Sequence, residues 1–244
     1  WKYLIDPCLD VLKTEKVDLA QGGNYPLATC RRAKYRWPPS PKPEFLPKVW
    51  MNFELGADSK EELENIKRRI DEVLRNYQKQ YGEKNIFFWK LDMRSIVARL
   101  TKPNRISVPY AGHKGGGLLF ITWYVPWKDA AKFGEQAERL MEKYRFSPVV
   151  WLAAVDHGRQ GLVMPIVLFD PKSSEELKAV ETLDREMTEK FLEMGGIPYR
   201  PNASVHAPMV MSKSIGYYSL LKRLKQAVDP NGIMHPGRLA LPQE

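Results

Sequence analysis

Long apolar runs are missing from this 244-residue chain. None approaches the roughly 18 residues that a membrane helix needs, so a helical membrane span is excluded. Cysteine is scarce. Cys8 and Cys30 are too few and too far apart for a disulfide framework or a zinc motif, although a single bridge between them stays open. Histidine is scarce as well, and His113, His157, His206 and His235 show no metal-ligand spacing. Blocks of like charge are absent apart from Lys222-Arg223-Leu224-Lys225. The net charge of +9 therefore reads as solvated helix faces, of which a phosphate-bearing ligand would use only a few charges. There is no phosphate loop, no dinucleotide fingerprint and no nucleophile elbow. No secretory leader is visible, and Trp1 to Asp6 reads as mid-protein sequence. The expectation is a soluble, cytoplasmic protein, met here as a fragment or a processed chain.

What is present is ordinary globular composition, 43% hydrophobic and 27% charged, in a chain long enough for a sizeable core. Residues 1–36 read as an irregular lead-in with a short helical stretch near Cys8 to Leu12. A proline-rich run ending at Pro47 disfavours helix and interior strand alike and reads as an extended connector. Val49, Met51, Phe53 and Leu55 then alternate with polar or exposed positions, which predicts a strand with one buried face. Ser59 and Glu62 form a capping box, and the helix it opens carries Leu63, Ile66, Ile70, Val73, Leu74 and Tyr77 on one stripe.

The pattern recurs. Leu118 to Tyr124 predicts a strand, and the next helix carries Ala130, Phe133, Ala137, Leu140, Met141 and Tyr144 at the same spacings. Two more strands are expected at Val149 to Val155 and Leu162 to Phe169, the second at an edge or bulged because of Pro165. Ser173 and Glu176 open a further helix that stops at Gly195-Gly196. A last helix holds Leu220, Leu221, Leu224 and Val228 and ends at Asp229-Pro230. Two similar strand–helix units predict an α+β fold, an antiparallel sheet with helices on one face, ferredoxin-like in its repeat.

The C-terminus carries the most specific pattern. Gly195-Gly196-Ile197-Pro198-Tyr199-Arg200 follows a helix, and Leu224 to Arg238 closes with Asp229-Pro230-Asn231-Gly232-Ile233 and Pro236-Gly237-Arg238. By itself this is a helix stop, a turn and a rigid tail, a clasp that needs no chemistry. It closely resembles the end of the vanillyl-alcohol oxidase and 4-cresol dehydrogenase family of flavoproteins, with Arg238 in place of the usual Lys. The resemblance runs from about Val49 to Pro242 and is strongest after Leu162.

The resemblance implies an FAD-dependent enzyme taking a hydride from the carbon para to a phenol. It casts Tyr199 as a donor to the phenolate and Arg200 as serving phenolate and flavin together, with Arg238 at the cofactor. A hydroxyl and a guanidinium suit a charged oxygen, and Arg keeps its proton. It implies domains at 1–47 (lead-in and connector), 48–198 (cap) and 199–244 (a segment returning to the FAD-binding domain). That domain would lie on a preceding half or another chain. Oxygen or a cytochrome would accept the electrons, and a homo-oligomer is expected.

The sequence also departs from the family. His113-Lys114-Gly115-Gly116-Gly117 sets Gly117 where the oxidase tethers its flavin through a histidine. Glycine cannot form that bond, so FAD is expected to be non-covalent unless His113 substitutes. Family histidines at the start of the next-but-one strand are replaced by Leu162 and Val163, leaving His157 and Arg159 as candidate pocket residues. Two other readings stay open. One keeps the flavin and makes the substrate a 2-hydroxy acid, with Arg200 on its carboxylate. The other is a basic RNA-binding module using Trp50, Phe53 and Trp123-Tyr124, disfavoured because Phe53 falls on the apolar face.

Overall fold

The computed structural model describes residues 1–15, 17, 19–24, 49–86 and 117–241. The proline-rich run, Cys30 and His113 lie outside the described residues. Seven strands make one sheet: β1 (Leu19–Asn24), β2 (Val49–Glu54), β3 (Gly117–Phe120), β4 (Trp123–Pro126), β5 (Val149–Val155), β6 (Gln160–Phe169) and β7 (Ile197–Pro198). Their order is β2-β1-β5-β6-β4-β7, with β3 also on β6, and every pairing is antiparallel. Among the described residues six α-helices accompany it: α1 (Lys2–Thr14), α2 (Lys60–Tyr81), α3 (Ala130–Lys143), α4 (Ser174–Glu193), α5 (His206–Lys213) and α6 (Ile215–Val228).

Alternation sets the two faces of the sheet. Leu152 and Val163, paired across β5 and β6, point to the helix side with Trp123, Val125, Val150 and Val167. Trp151, Met164, Val149, Ile166 and Leu168 point to the other side. The helix side is closed by α2, α1, α3 and α4, which supply Ile70, Ile5, Phe133, Phe191 and their neighbours to one core. Phe133, Phe191 and Trp123 meet edge-to-face at 4.9 and 5.4 Å. Of the stripe positions expected to be buried, Ile66, Ile70, Phe133, Ala137 and Leu140 are, and Leu63 is half-buried.

Both capping boxes form. Ser59 accepts from the Glu62 N–H at 3.1 Å and Ser173 from the Glu176 N–H at 3.2 Å. Each glutamate reaches back beyond its serine, to the N–H of Asp58 and of Asp170.

Four expectations are corrected. The lead-in is not irregular: α1 is buried through Ile5, Cys8 and Val11, and β1 lies between β2 and β5. The strand expected from Leu118 to Tyr124 is two, broken at Ile121 and Thr122. The strand with Pro165 is not at an edge, since β6 pairs on both sides. The Pro165 carbonyl accepts from Ile121 N–H at 3.1 Å. Its missing N–H therefore faces the break between β3 and β4, where no ladder bond is lost. Finally, α5 was not foreseen. Cys8 is a free, buried thiol, which burial pushes up in pKa.

Candidate functional site

The geometry of Tyr199 begins at the end of α4. Gly196 N–H bonds to the Phe191 carbonyl at 2.8 Å and Gly195 N–H to that of Leu192 at 3.1 Å, with Gly195 at φ 87°. This six-to-one closure satisfies the last carbonyls and needs a left-handed residue. A Cβ on Gly196 would lie 3.0 Å from Phe133 and 3.2 Å from Trp123, so the chain also turns tightly against the core. It emerges as β7, where Pro198 pairs with Trp123 and Ile197 with Tyr124.

Tyr199 continues that edge, its N–H bonded to the Thr122 carbonyl at 2.9 Å. Pro198 is buried on the helix side, so Tyr199 falls on the opposite, open face. Its ring meets Tyr124 edge-to-face at 5.3 Å, and the Arg200 guanidinium carbon stands 5.1 Å from its centroid. Tyr199 remains 39% exposed, so its hydroxyl has room for a partner from outside this chain.

The open face itself is apolar. Leu118, Trp151 and Met164 are half-buried over Val149, Ile166 and Leu168. Phe120 is 41% exposed and pairs in register with Ile166, and Tyr124 pairs with Leu162 further along the same face. Such a surface suits a flat aromatic group, with Tyr199 and Arg200 as polar groups at its rim.

The other candidates are dispersed. Gly117 begins β3, three residues before Phe120, and points to the helix side, where a Cβ would lie within 2.8 Å of the Phe169 ring. His157 and Arg159 are exposed at the β5–β6 turn, four residues along β6 from the level of Met164. Arg159 pairs there with Asp156 at 3.9 Å. The structure does not bring these two to Tyr199. Arg238 is exposed in a short 3-10 turn (Arg238–Ala240) that packs on α5.

Asp229 explains the tail pattern: its buried carboxylate accepts from the N–H of Ile233 at 3.0 Å and of Met234 at 2.9 Å, and from Lys225. Lys225, then those backbone donors, hold its pKa below the ordinary carboxylate range. Tyr124, named from sequence only in the nucleic-acid reading, was missed at this site, because the pairing of β4 with β7 is what brings it to Tyr199. Asp184, Asn202 and His206 were also missed, as their proximity to one another depends on the packing of α4 against α5.

The described residues form a helix-backed antiparallel sheet with an aromatic-rich opposite face. The chain belongs to the FAD linked oxidases, whose C-terminal domain matches residues 48–239. It is similar to the flavoprotein subunit of 4-cresol dehydrogenase (hydroxylating) from Pseudomonas putida, 26% identical over 66% of this chain and 30% of that protein. It is also similar to the mitochondrial D-lactate dehydrogenase (cytochrome) of Arabidopsis thaliana, 32% identical over 36% of this chain and 16% of that protein. In fold it matches 4-ethylphenol oxidase from Gulosibacter chungangensis, solved with isoeugenol, at TM-score 0.72 and 18% identity. It matches substrate-bound p-cresol methylhydroxylase at TM-score 0.71 and 18% identity. These matches cover 98% and 99% of this chain but 51% of each solved one, so the chain spans about half their length. Among the described residues no helix is long and apolar enough to cross a membrane.

Proposed function

We propose that this chain is the substrate-covering part of an oxidoreductase acting on a 4-alkylphenol or 4-hydroxybenzyl compound. The carrying observation is a half-exposed tyrosine with a guanidinium over its ring at the rim of an apolar aromatic face. FAD supplies the hydride acceptor. The open face excludes water from the phenol ring and sandwiches it. Tyr199 donates its O–H to the phenolate oxygen, and Arg200 adds a fixed positive charge that favours ionisation. An ionised phenol pushes electron density toward the para carbon and eases hydride loss as a quinone methide forms.

Residues 48–198 act as the cap, with α1 and β1 of the preceding segment built into its core and sheet, and 199–244 return to the FAD-binding half. The flavin is held without a covalent bond to Gly117. Acid precipitation of the full-length protein tests this: the yellow colour should stay in the supernatant. Steady-state assays with oxygen and with a cytochrome separate the two acceptors.

The substrate is tested by stopped-flow bleaching of the flavin in the full-length protein. Tyr199→Phe removes one donor to a charged oxygen and should slow reduction by roughly 10²–10³-fold. Arg200→Lys keeps charge but loses the planar fork and should slow it as well. Parent rates in both variants would end the phenol assignment. The match to a D-lactate dehydrogenase favours a second substrate, a 2-hydroxy acid with Arg200 on its carboxylate. Product analysis with both classes decides between them.

A further inference from the structure

Behind Tyr199 and Arg200, on the helix side of the sheet, lies a polar cluster built on a buried Asp–His pair. Asp184 of α4 and His206, the first residue of α5, are 5% and 3% exposed. His206 Nε2 donates to Asp184 Oδ1 at 2.8 Å, and Asn202 Nδ2 donates to Oδ2 at 3.0 Å. The Asn202 side-chain carbonyl accepts from the N–H groups of Val205 at 2.7 Å and His206 at 3.0 Å, closing the start of α5. Its backbone N–H reaches His206 Nδ1 at 3.4 Å, which assigns the Nε2–H tautomer. Both carboxylate oxygens and both ring nitrogens are therefore partnered.

A buried polar set of this kind adds little net stability over packed apolar side chains, but it tolerates only one arrangement of its members. Asn202 comes two residues after Arg200, so Asp184 fixes the exit of the Tyr199-Arg200 segment. His206 fixes the start of α5, and the turn carrying Arg238 packs on that same helix. The His206 ring also lies 5.8 Å from that of Trp123, the cross-strand partner of Pro198.

We propose that Asp184, Asn202 and His206 are positioning residues that hold Tyr199 and Arg200 in place at the rim of the open face. The proposal rests on reading Tyr199 as the phenolate donor. The three touch neither substrate nor flavin and act through the segment they anchor.

The test is stopped-flow flavin reduction by a 4-alkylphenol in the full-length flavoprotein, with a melting curve beside it. Asp184→Asn should lower the limiting rate roughly 10- to 10²-fold, the effect of displacing a reacting geometry by about an ångström, with a smaller change in apparent substrate affinity. On a Tyr199→Phe background it should lower the rate by clearly less than that factor, because the group it positions is already disabled. His206→Gln, which keeps an N–H donor, should retain more rate than His206→Leu. A folded Asp184→Asn protein that reduces at the parent rate, or that slows Tyr199→Phe by its full factor, overturns the proposal. Where Asp184→Asn does not fold, Asn202→Ala decides by the same two comparisons. If Tyr199→Phe alone reduces at the parent rate, the donor reading falls and this proposal with it. If Tyr199→Phe is slow while Asp184→Asn is parental, only the positioning role is lost.

Discussion

At Gly117 the sheet leaves no space for a side chain, because the helix-side neighbour is Phe169, directly paired across β3 and β6. A histidine introduced there meets Phe169 instead of reaching the open face. Gly117→His in the full-length protein should lower stability by about 1–3 kcal/mol through overpacking. It should leave the flavin acid-extractable; a melting curve and acid precipitation check both. Single residues were legible in the sequence to the extent that their function rests on neighbours in the chain. Tyr199-Arg200 stood out because a helix stop and a specific tail bracket it. Asp184 is separated from Asn202 by the rest of α4 and by β7, and nothing in its local sequence, Leu183-Asp184-Arg185, distinguishes it from a solvated helix position. Tyr124 needed the pairing of β4 with β7 to become the neighbour of Tyr199.

Elements with strong local signals were legible, and those made by their surroundings were not. The capping boxes, the glycine stop and the apolar stripes marked α2, α3 and α4. β1 reads Leu19-Ala20-Gln21-Gly22-Gly23-Asn24, without β-branched or aromatic residues, and is a strand because β2 and β5 pair with it on both sides. Pro7 inside α1 shortened the apparent helix. The elements are tied by carboxylates: Glu15 to Arg69 of α2, and Glu186 of α4 to Lys143, the last residue of α3, and to Tyr144 just after it, at 2.7 and 2.6 Å. Arg69 lowers the Glu15 pKa, and Lys143 followed by Tyr144 lowers that of Glu186. With native values depressed, these ties contribute fully above the ordinary carboxylate range near about 4, and their contribution is lost as pH falls through the native values. The melting temperature should therefore fall on acidification, and Glu15→Gln should flatten that dependence while lowering the neutral-pH value.

On the scale of the whole molecule, α6 presents Tyr217, Leu220, Leu224 and Val228 to solvent, each more than half exposed. These positions share one stripe, and its leucines announced the helix in the sequence. Spacing alone could not say that the stripe faces away from the core between the sheet and its helices. An exposed stripe of this size marks an interface. Produced alone, residues 1–244 should self-associate and carry no flavin, whereas the full-length protein should not aggregate and should be yellow. Light scattering and the visible spectrum check this, and Leu220→Glu with Leu224→Glu should relieve the association of the isolated segment. The place of β1 has a consequence in time. Ala20 pairs with Ala154, so the centre of the sheet closes only after the chain has been made well past its middle. Until then β1 has β2 on one side and no strand on the other. Folding must pass through a long-range closure that is slow by topology, and a cell that halts synthesis before β5 holds an open, sticky intermediate.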